Sequence, residues 1–183
     1  MVYDKIIQGK FVSLKSITEE DAEFSYKIRA SEGIRETVGQ LAGSIDDQRE
    51  YIKKQMITPG DYYFVILNQS EERIGLIGIY DIHDDMGEIG RLVSVGEPME
   101  TYEAQLLLND FIREKLKLKR VCYVIYADNK KHISDIKKSK GNFVKVVERG
   151  GREAFYYEDE VSEDNYFDNK IRSMVNKLAA KYT

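Results

Sequence analysis

The first part of the chain alternates between the hydrophobic pattern of a strand and that of helices. Phe11–Leu14 has the apolar spacing of a strand. Thr18, followed by three acidic residues, is a typical helix start, and this helix should run to about Arg29. The segment 44–47 repeats the start signal with a serine and an aspartate three positions apart. We therefore predict one strand and then two helices, the second ending at about Met56.

From residue 62 the pattern changes to β-branched and aromatic runs, which are typical of strands. Short polar turns separate three such runs, and this favours an antiparallel meander. The middle run is apolar on both faces between Ile74 and Ile79, so helices should cover both sides of the sheet. The three predicted strands are Tyr62–Leu67, Arg73–Ile82 and Glu88–Val95.

A helical stripe follows the meander. Between about Glu100 and Leu116, apolar residues recur three and four positions apart, which predicts a helix with one apolar face. Val121–Tyr126 then has the composition of a buried strand. A strand, a helix and a second strand in this order normally pair their strands in parallel. The stripe consists of Ala104, Leu107, Leu108, Phe111 and Ile112.

A basic helix and a hairpin should follow that strand. The helix is predicted from about Lys130 to Lys140, with Gly141 at its C-terminal end. The segments 143–147 and 153–157 flank Arg149–Arg152, whose central Gly-Gly pair is a typical hairpin turn. These two strands close the predicted sheet.

Beyond Glu160 a final amphipathic helix should pack on the domain or on a second copy of the chain, in which case it would form a homodimer. We therefore expect a domain over residues 1–160 and a C-terminal helix over residues 161–183. The predicted fold class is α/β (α+β): a mixed, mostly antiparallel sheet of about seven strands with helices on both faces. The apolar face of the last helix holds Phe167, Ile171, Met174, Val175 and Leu178.

Composition excludes several classes of protein. A chain of 183 residues can bury one core, and its 42% hydrophobic and 33% charged residues are ordinary for a soluble protein, which excludes disordered and membrane classes. No apolar run approaches the roughly 20 residues that span a bilayer, and the N-terminus lacks the pattern of a secretory signal. These observations predict a cytoplasmic protein without a membrane partner.

Charge and metal-ligand content narrow the possible partners. The net charge of −4 gives no reason to expect nucleic acid. The single cysteine, Cys122, lies in a predicted buried strand, where an inert thiol is expected rather than a nucleophile. Two distant histidines and one cysteine do not indicate a metal site. One cluster of lysines either faces a polyphosphate or forms a solvated helix face: Lys130, Lys131, Lys137, Lys138 and Lys140.

The order of the elements and three local motifs resemble the GNAT superfamily of acyl-CoA-dependent N-acyltransferases. Glu88–Arg91 is similar to the fourth strand of that family, and Glu103–Leu108 is similar to the start of its central helix. Asn129, with Gly141–Phe143, is similar to its Asn-to-Gly-Phe segment. The resemblance covers about residues 10–158.

Within the superfamily the chain looks nearest to the ribosomal-protein alanine N-acetyltransferases and amino-sugar acyltransferases, which share an arginine near the end of the first helix, here Arg29. In the family, the fourth and fifth strands splay apart and hold acyl-CoA. The resemblance therefore implies acetyl-CoA as co-substrate, no metal, a primary amine as acceptor, and strands that diverge after Arg91. The residues implied to contact the cofactor are Leu92, Val93, Val95, Thr101, Tyr102, Glu103, Asn129 and Ser134.

The predicted turn before the central helix is the expected pyrophosphate site, because the unpaired N–H groups and the dipole of a helix N-terminus favour an anion. The family carries a Gln or Arg and then two small residues there. Gly96, Met99 and Thr101 occupy the matching positions, and Glu97 and Glu100 add two negative charges. Each would repel the pyrophosphate by about 1 kcal/mol at contact in water. We expect weakened cofactor binding or an altered route of the loop.

Acyl transfer to an amine requires a base. Glu88 matches a carboxylate position that the family often uses, and partial burial beside the strands would make it the base; the alternative is an exposed glutamate at the start of a strand. His83 should lie near Glu88, either as a second titratable group or as a turn histidine in water. His132 is expected to face solvent.

The family's usual acid is a tyrosine in the helix after Asn129, and Ser134–Ile136 occupies those positions here. Tyr126 or Tyr102 would substitute only if the backbone brings it to the sulfur; packing is the alternative for both. The resemblance places Glu20 and Arg29 on the acceptor side, where they would bind substrate or form an ordinary surface ion pair.

These residues predict an N-acyltransferase that uses acetyl-CoA and acts on an amine such as an amino-sugar nucleotide or a protein N-terminus. The alternative is a catalytically degenerate member that keeps the fold as a binding or assembly module. The acidic loop favours the second hypothesis, whereas Glu88 and Asn129 favour the first. A nucleic-acid adaptor is a third and more distant hypothesis, since no aromatic residues interleave with the lysines.

Overall fold

A computed structural model describes residues 1–138 and 141–181, except for the side chains of residues 138, 166 and 167. Its strands are β1 (Ile7–Gln8), β2 (Val12–Ser16), β3 (Tyr62–Asn68), β4 (Arg73–His83), β5 (Met86–Ser94), β6 (Arg120–Tyr126), β7 (Asn142–Arg149) and β8 (Arg152–Glu160). They form one sheet in the order β1-β2-β3-β4-β5-β6-β8-β7, in which only β5 and β6 are parallel. The predicted mixed sheet is confirmed, and the strand that sequence analysis missed is the two-residue β1.

The helices are α1 (Ala22–Ala30), α2 (Ile45–Ile57), α3 (Pro98–Phe111), α4 (Lys130–Lys138) and α5 (Tyr166–Ala179). A 3₁₀ turn precedes α1 at Glu19–Asp21, and a π-helical turn continues α3 at Ile112–Leu116. The helix α3 begins two residues earlier than expected because Pro98 suits the first helical position. Lys140, the predicted end of the basic helix, lies outside the described residues.

Helices cover both faces of the sheet, as the doubly apolar β4 predicts. Ile77 and Ile79 belong to a core that packs under α3, whereas Leu76 belongs to a second core under α1 and α2. All three side chains are fully buried. We call the α3 and α4 side the back of the sheet and the α1 and α2 side its front. Among residues 1–138 and 141–181, every helix is too short or too polar to span a bilayer.

The C-terminal helix α5 packs against α3 on the back of the sheet. Ile171 and Val175 are buried against Leu106 of α3. The predicted contribution of the Phe167 side chain lies outside the described residues. A homodimer through this helix stays a prediction, and so does the division of the chain at residue 160.

The parallel strands β5 and β6 pair over only three rows and then separate. The rows are Met86–Arg120, Gly87–Val121 and Glu88–Cys122. The separation therefore begins after Glu88, three residues before the position that sequence analysis predicted. One cause is a bulge in β5: Arg91 has a φ of 57°, and the pairing with β4 shifts register at this point. A bulge bends its strand, so β5 leaves β6 and opens the sheet.

Candidate active site

A cleft of about 380 Å³ lies where β5 and β6 separate, between α3 and α4. Along α3 its lining begins at Pro98 and Thr101 in the first turn and ends at Leu108 and Asn109. The N-terminus of α3 therefore marks the mouth of the cleft. Asn109, in the last turn of α3, and Tyr123, next to the last paired row of β5 and β6, line the opposite end, which we call the closed end. Such a cleft can hold an extended ligand with an anionic group at the mouth and a reacting group at the closed end.

Five of the eight predicted cofactor contacts line this cleft: Leu92, Val93, Thr101, Tyr102 and Asn129. Their contact with the cofactor stays a prediction. The other three residues lie elsewhere. Val95 follows the end of β5 and is 65% exposed, and Ser134 is exposed on α4. Neither residue is part of the lining, and the contact of each with the cofactor stays a prediction.

Glu103 is also turned away from the cleft. Its carboxylate is buried and accepts three backbone N–H groups, from Lys10 at 2.8 Å, Phe11 at 2.7 Å and Val12 at 3.0 Å. These donors belong to the turn between β1 and β2. Gly9 sits against the same carboxylate, since a Cβ there would lie 2.8 Å from the Glu103 Cδ atom. The sequence prediction placed Glu103 on the cofactor, whereas the structure gives it a role in joining α3 to the sheet.

The mouth of the cleft carries its own anion. The Glu100 carboxylate accepts the backbone N–H of Glu97 at 2.8 Å and so occupies part of the N-terminus of α3. Gly96 leaves room for this carboxylate, because a Cβ at this position would lie 2.7 Å from both Glu100 Oε2 and Ile74 Cδ1 and would displace the ends of these two side chains. The acidic loop that sequence analysis noted is therefore a helix cap, and its charge lies where a pyrophosphate would be expected.

We expect Glu100→Gln to tighten the binding of CoA by about fivefold, since it removes roughly 1 kcal/mol of repulsion at the mouth. Glutamine at this position still accepts a hydrogen bond from the N-cap, so the helix should remain capped. Calorimetric titration at low and high salt measures the effect, which salt should reduce. The exposed Glu114, after α3, provides the control Glu114→Gln. Equal dissociation constants for the wild type and Glu100→Gln would contradict the assignment.

The basic helix contributes less positive charge to the cleft than its sequence suggests. Lys131 lines the cleft, whereas Lys130 and Lys137 are exposed outside it. The side chain of Lys138 and the whole of Lys140 lie outside the described residues. A polyphosphate contact therefore stays a prediction for Lys131, whereas Lys130 and Lys137 lie on a solvated face.

His132 was expected to face solvent, but it is partly buried and lines the cleft. Burial lowers the pKa of its imidazole, and the nearby Asp135 opposes this change. At neutral pH the imidazole is therefore uncharged and adds no positive charge to the cleft. The helix rotation that decides this placement comes from Ile133 and Ile136, which pack into the core under α4.

Glu88 lies on the front of the sheet, at the last row that β5 shares with β6. It is 6% exposed, which excludes the alternative of an exposed strand-start residue. The Arg149 guanidinium donates to both oxygens of the carboxylate, at 2.5 and 2.7 Å, and the Tyr80 hydroxyl donates to it at 2.6 Å. Burial and the adjacent carboxylate raise the pKa of Tyr80, so its hydroxyl remains a donor.

A second ion pair lies next to Glu88 on the front of the sheet. Arg91 at the β5 bulge donates to both oxygens of Asp61, at 2.5 and 2.8 Å. Its guanidinium lies 4.2 Å from the ring centre of Tyr80 and 4.9 Å from that of Tyr63. Charge-assisted bonds and aromatic contacts of this kind hold a guanidinium firmly. They also stabilise the bulge that opens the cleft.

The remaining predicted residues are less central. His83 is exposed, and its Nδ1–H donates a 2.7 Å hydrogen bond to the Asp81 carbonyl. Its register partner is Met86, whereas Glu88 pairs with Tyr80, and a catalytic role of His83 stays a prediction. Glu20 is exposed on the 3₁₀ turn, and no ion pair joins it to Arg29 in the described chain. Arg29 is partly buried, and its Nε atom has no hydrogen-bond partner among the described residues.

Sequence analysis missed four residues that the structure brings to the site. Arg149 reaches Glu88 from the predicted Gly-Gly hairpin. The position of this hairpin at the end of the sheet was the sequence feature that could have predicted the contact. Tyr123 lines the back of the cleft, and so do Asp159 and Asp168. Cys122 is buried as expected, and burial raises the pKa of its thiol. Within the described ranges, no group of three or more His, Cys, Asp or Glu residues could hold a metal.

A sheet whose two parallel strands separate over a cleft, beside a helix N-terminus and with a buried carboxylate on the opposite face, matches the acyl-CoA-dependent acyltransferase class that the sequence resembles. The family model described as "Acetyltransferase (GNAT) domain" matches residues 12–140. This chain belongs to that family and is a GNAT N-acetyltransferase. A search of curated protein sequences finds no match.

Solved structures share the fold. A GCN5-related N-acetyltransferase from Brucella melitensis superposes with a TM-score of 0.78 at 14% identity, over 94% of this chain and 86% of that one. FdhC, a nucleotide-linked sugar GNAT, gives a TM-score of 0.77 at 21% identity, over 94% and 98%. A mutant spermidine N-acetyltransferase from Vibrio cholerae gives a TM-score of 0.70 at 13% identity, over 85% and 96%.

Proposed function

We propose that this enzyme transfers an acetyl or another short acyl group from acyl-CoA to a primary amine that carries an anionic group, as an amino-sugar nucleotide does. The observation that supports acyl transfer is the separation of β5 and β6 after Glu88, which joins the cleft on the back of the sheet to the front. The observation that supports an anionic acceptor is the charge on the front.

Three guanidinium groups face two carboxylates on the front of the sheet. Arg91 neutralises Asp61, and Arg149 neutralises Glu88. Arg29 has no carboxylate partner among the described residues, and its charge influences the pKa of Tyr51 beside Arg91. The excess of one positive charge favours an acceptor with a phosphate or carboxylate. It disfavours a polyamine, the substrate named for one of the structural neighbours.

The residues supply the parts that the reaction requires. Glu88 accepts the proton of the amine, directly or through a water molecule. Tyr80 and Arg149 hold the Glu88 carboxylate in place, so they are positioning residues. Beyond Glu88, the edge of β5 that faces the gap has no pairing with β6, so its backbone N–H groups can donate to the thioester carbonyl oxygen. The amine nitrogen then forms the new bond to the carbonyl carbon as the carbon–sulfur bond breaks.

One feature supports the alternative of a catalytically degenerate binding module. Glu100 places a negative charge at the mouth of the cleft and so weakens the expected pyrophosphate site. Calorimetric titration of the wild type with acetyl-CoA separates the two hypotheses. Binding, followed by release of CoA thiol when an amine is added, supports the enzyme. No heat at millimolar acetyl-CoA would support the module.

A panel of acceptors tests the charge argument. We expect an amino-sugar nucleotide to be acylated more efficiently than spermidine or a neutral amino sugar, with thiol release as the readout. Arg29→Gln should lower kcat/KM for the anionic acceptor by about tenfold, which corresponds to the loss of one charge-assisted contact.

Lys27→Gln is the matched control, because Lys27 is exposed on the same helix and pairs only with Glu23 in the described chain. This variant should retain the wild-type kcat/KM for every acceptor. A preference for spermidine, or equal losses in the two variants, would contradict the proposed acceptor class.

A further inference from the structure

The closed end of the cleft contains a phenol, the side chain of Tyr123, that has no hydrogen-bond partner among the described residues. Tyr123 is the first β6 residue beyond the last row that pairs with β5, and it lines the cleft opposite Ile89 and Gly90. The side chain is only partly exposed. In the part of the chain that the structure describes, its hydroxyl makes no hydrogen bond. A polar group in such a place normally has a partner, and the cleft leaves two candidates, water and a bound substrate that displaces it.

The charges around Tyr123 keep it protonated. Burial, followed by the nearby carboxylates of Asp159 and Asp168, raises the pKa of its hydroxyl. Asp159 projects from β8 and Asp168 from α5, where Asn109 donates to it at 2.9 Å. From α4, Lys131, His132 and Asp135 also line the cleft, so one cation accompanies the carboxylates. Tyr123 is therefore a neutral O–H donor at any pH at which the enzyme would work, in acidic surroundings.

The reaction creates an anion at this end of the cleft. When the carbon–sulfur bond of the thioester breaks, its electron pair stays on sulfur, and CoA leaves as a thiolate. Two carboxylates in a partly dry cleft would disfavour that charge, so a donor close to the sulfur is needed. If the phosphates of acyl-CoA lie at the N-terminus of α3, its thioester extends toward the closed end of the cleft. The strands separate at this end, and Tyr123 lies there.

We propose that Tyr123 is a catalytic residue that donates its O–H hydrogen bond to the departing sulfur. The proton stays on Tyr123, and the thiolate leaves as an anion or takes a proton from water. This inference rests on the proposed function, because it assumes that acyl-CoA occupies the cleft. It assigns the leaving-group donor to Tyr123, whereas sequence analysis considered only Tyr126 and Tyr102 for this role.

The thiol pKa of bound CoA tests the proposal without an acceptor. Ultraviolet absorbance of the thiolate, followed against pH in the CoA complex, should show a pKa about one unit higher in Tyr123→Phe than in the wild type. The control is Tyr157→Phe. Tyr157 pairs with Tyr123 on the neighbouring strand but does not line the cleft, so its variant should match the wild type. Because the Tyr123 hydroxyl has no partner within residues 1–138 and 141–181 as described, its removal should leave the unfolding temperature unchanged.

Turnover provides the second readout. With acetyl-CoA, Tyr123→Phe should lower kcat about tenfold and leave the KM for acetyl-CoA unchanged. With the acetyl selenoester of seleno-CoA, whose leaving group is less basic, the loss should be smaller. The inference falls if bound CoA has the same thiol pKa in the wild type and in Tyr123→Phe. It also falls if the substitution lowers kcat by the same factor with the thioester and with the selenoester. Failure of CoA to bind the wild type would overturn the proposed function as well, so the two failures are distinguishable.

Discussion

Replacement of Glu103 by alanine is expected to lower the free energy of unfolding by about 4 kcal/mol. Its carboxylate accepts the backbone N–H groups of Lys10, Phe11 and Val12, and it is 2% exposed. Alanine would leave three donors without a partner in a buried place, and each such donor costs roughly 1–3 kcal/mol. Urea denaturation followed by far-ultraviolet circular dichroism measures the change.

Two further variants make the result specific. Glu103→Gln keeps one carbonyl oxygen and should lose about half as much stability, because that oxygen still accepts hydrogen bonds. Glu114→Ala removes an exposed glutamate just after α3 and should change stability by less than about 0.5 kcal/mol. Similar losses in Glu103→Ala and Glu114→Ala would show that the three hydrogen bonds do not matter in solution.

The fold was largely predictable because hydrophobic periodicity reports which faces are buried. The apolar stripe that ends in Phe111 and Ile112 gave α3, and the doubly apolar run from Ile74 to Ile79 required cover on both faces of the sheet. The predicted start of α2 at Ser44 is also confirmed, since the Ser44 hydroxyl accepts a hydrogen bond from the Asp47 N–H at 3.1 Å. Each of these features depends on residues that are close together in the sequence.

The geometry of the site could not be predicted in the same way, since it depends on contacts between distant segments. The gap begins after Glu88 because a bulge at Arg91 is held by Asp61, which lies 30 residues earlier. Arg149 reaches Glu88 from 61 residues away. Glu103 and Tyr102 are adjacent in sequence, yet only Tyr102 lines the cleft, because the rotation of α3 is fixed by its packing under the sheet.

The same distinction explains the histidines. His83 and His132 have similar local surroundings in the sequence, at the end of a strand and at the start of a helix. The turn after β4 leaves His83 in solvent, whereas the burial of Ile133 and Ile136 turns His132 into the cleft. Their relative importance for the site is thus the reverse of the predicted one.

Replacement of Glu88 by glutamine is expected to lower kcat about 100-fold at neutral pH, because the amine loses its proton acceptor. Glu88 does not line the cleft, so the affinity for acetyl-CoA should not change. Steady-state kinetics with a responsive acceptor and calorimetric titration of acetyl-CoA measure the two quantities. A loss of affinity equal to the loss of turnover would place the effect in binding rather than in proton transfer.

The companion variant Arg149→Gln distinguishes two roles of Glu88, that of a base and that of a mere ion-pair partner of Arg149. If Glu88 serves only to hold Arg149, the two substitutions break the same contact and should cost the same activity. If Glu88 accepts the proton, Arg149→Gln keeps the acceptor and one donor, Tyr80, so its kcat should fall only about tenfold. Unchanged turnover in Glu88→Gln would remove Glu88 as the base and direct attention to a water molecule or to the acceptor itself.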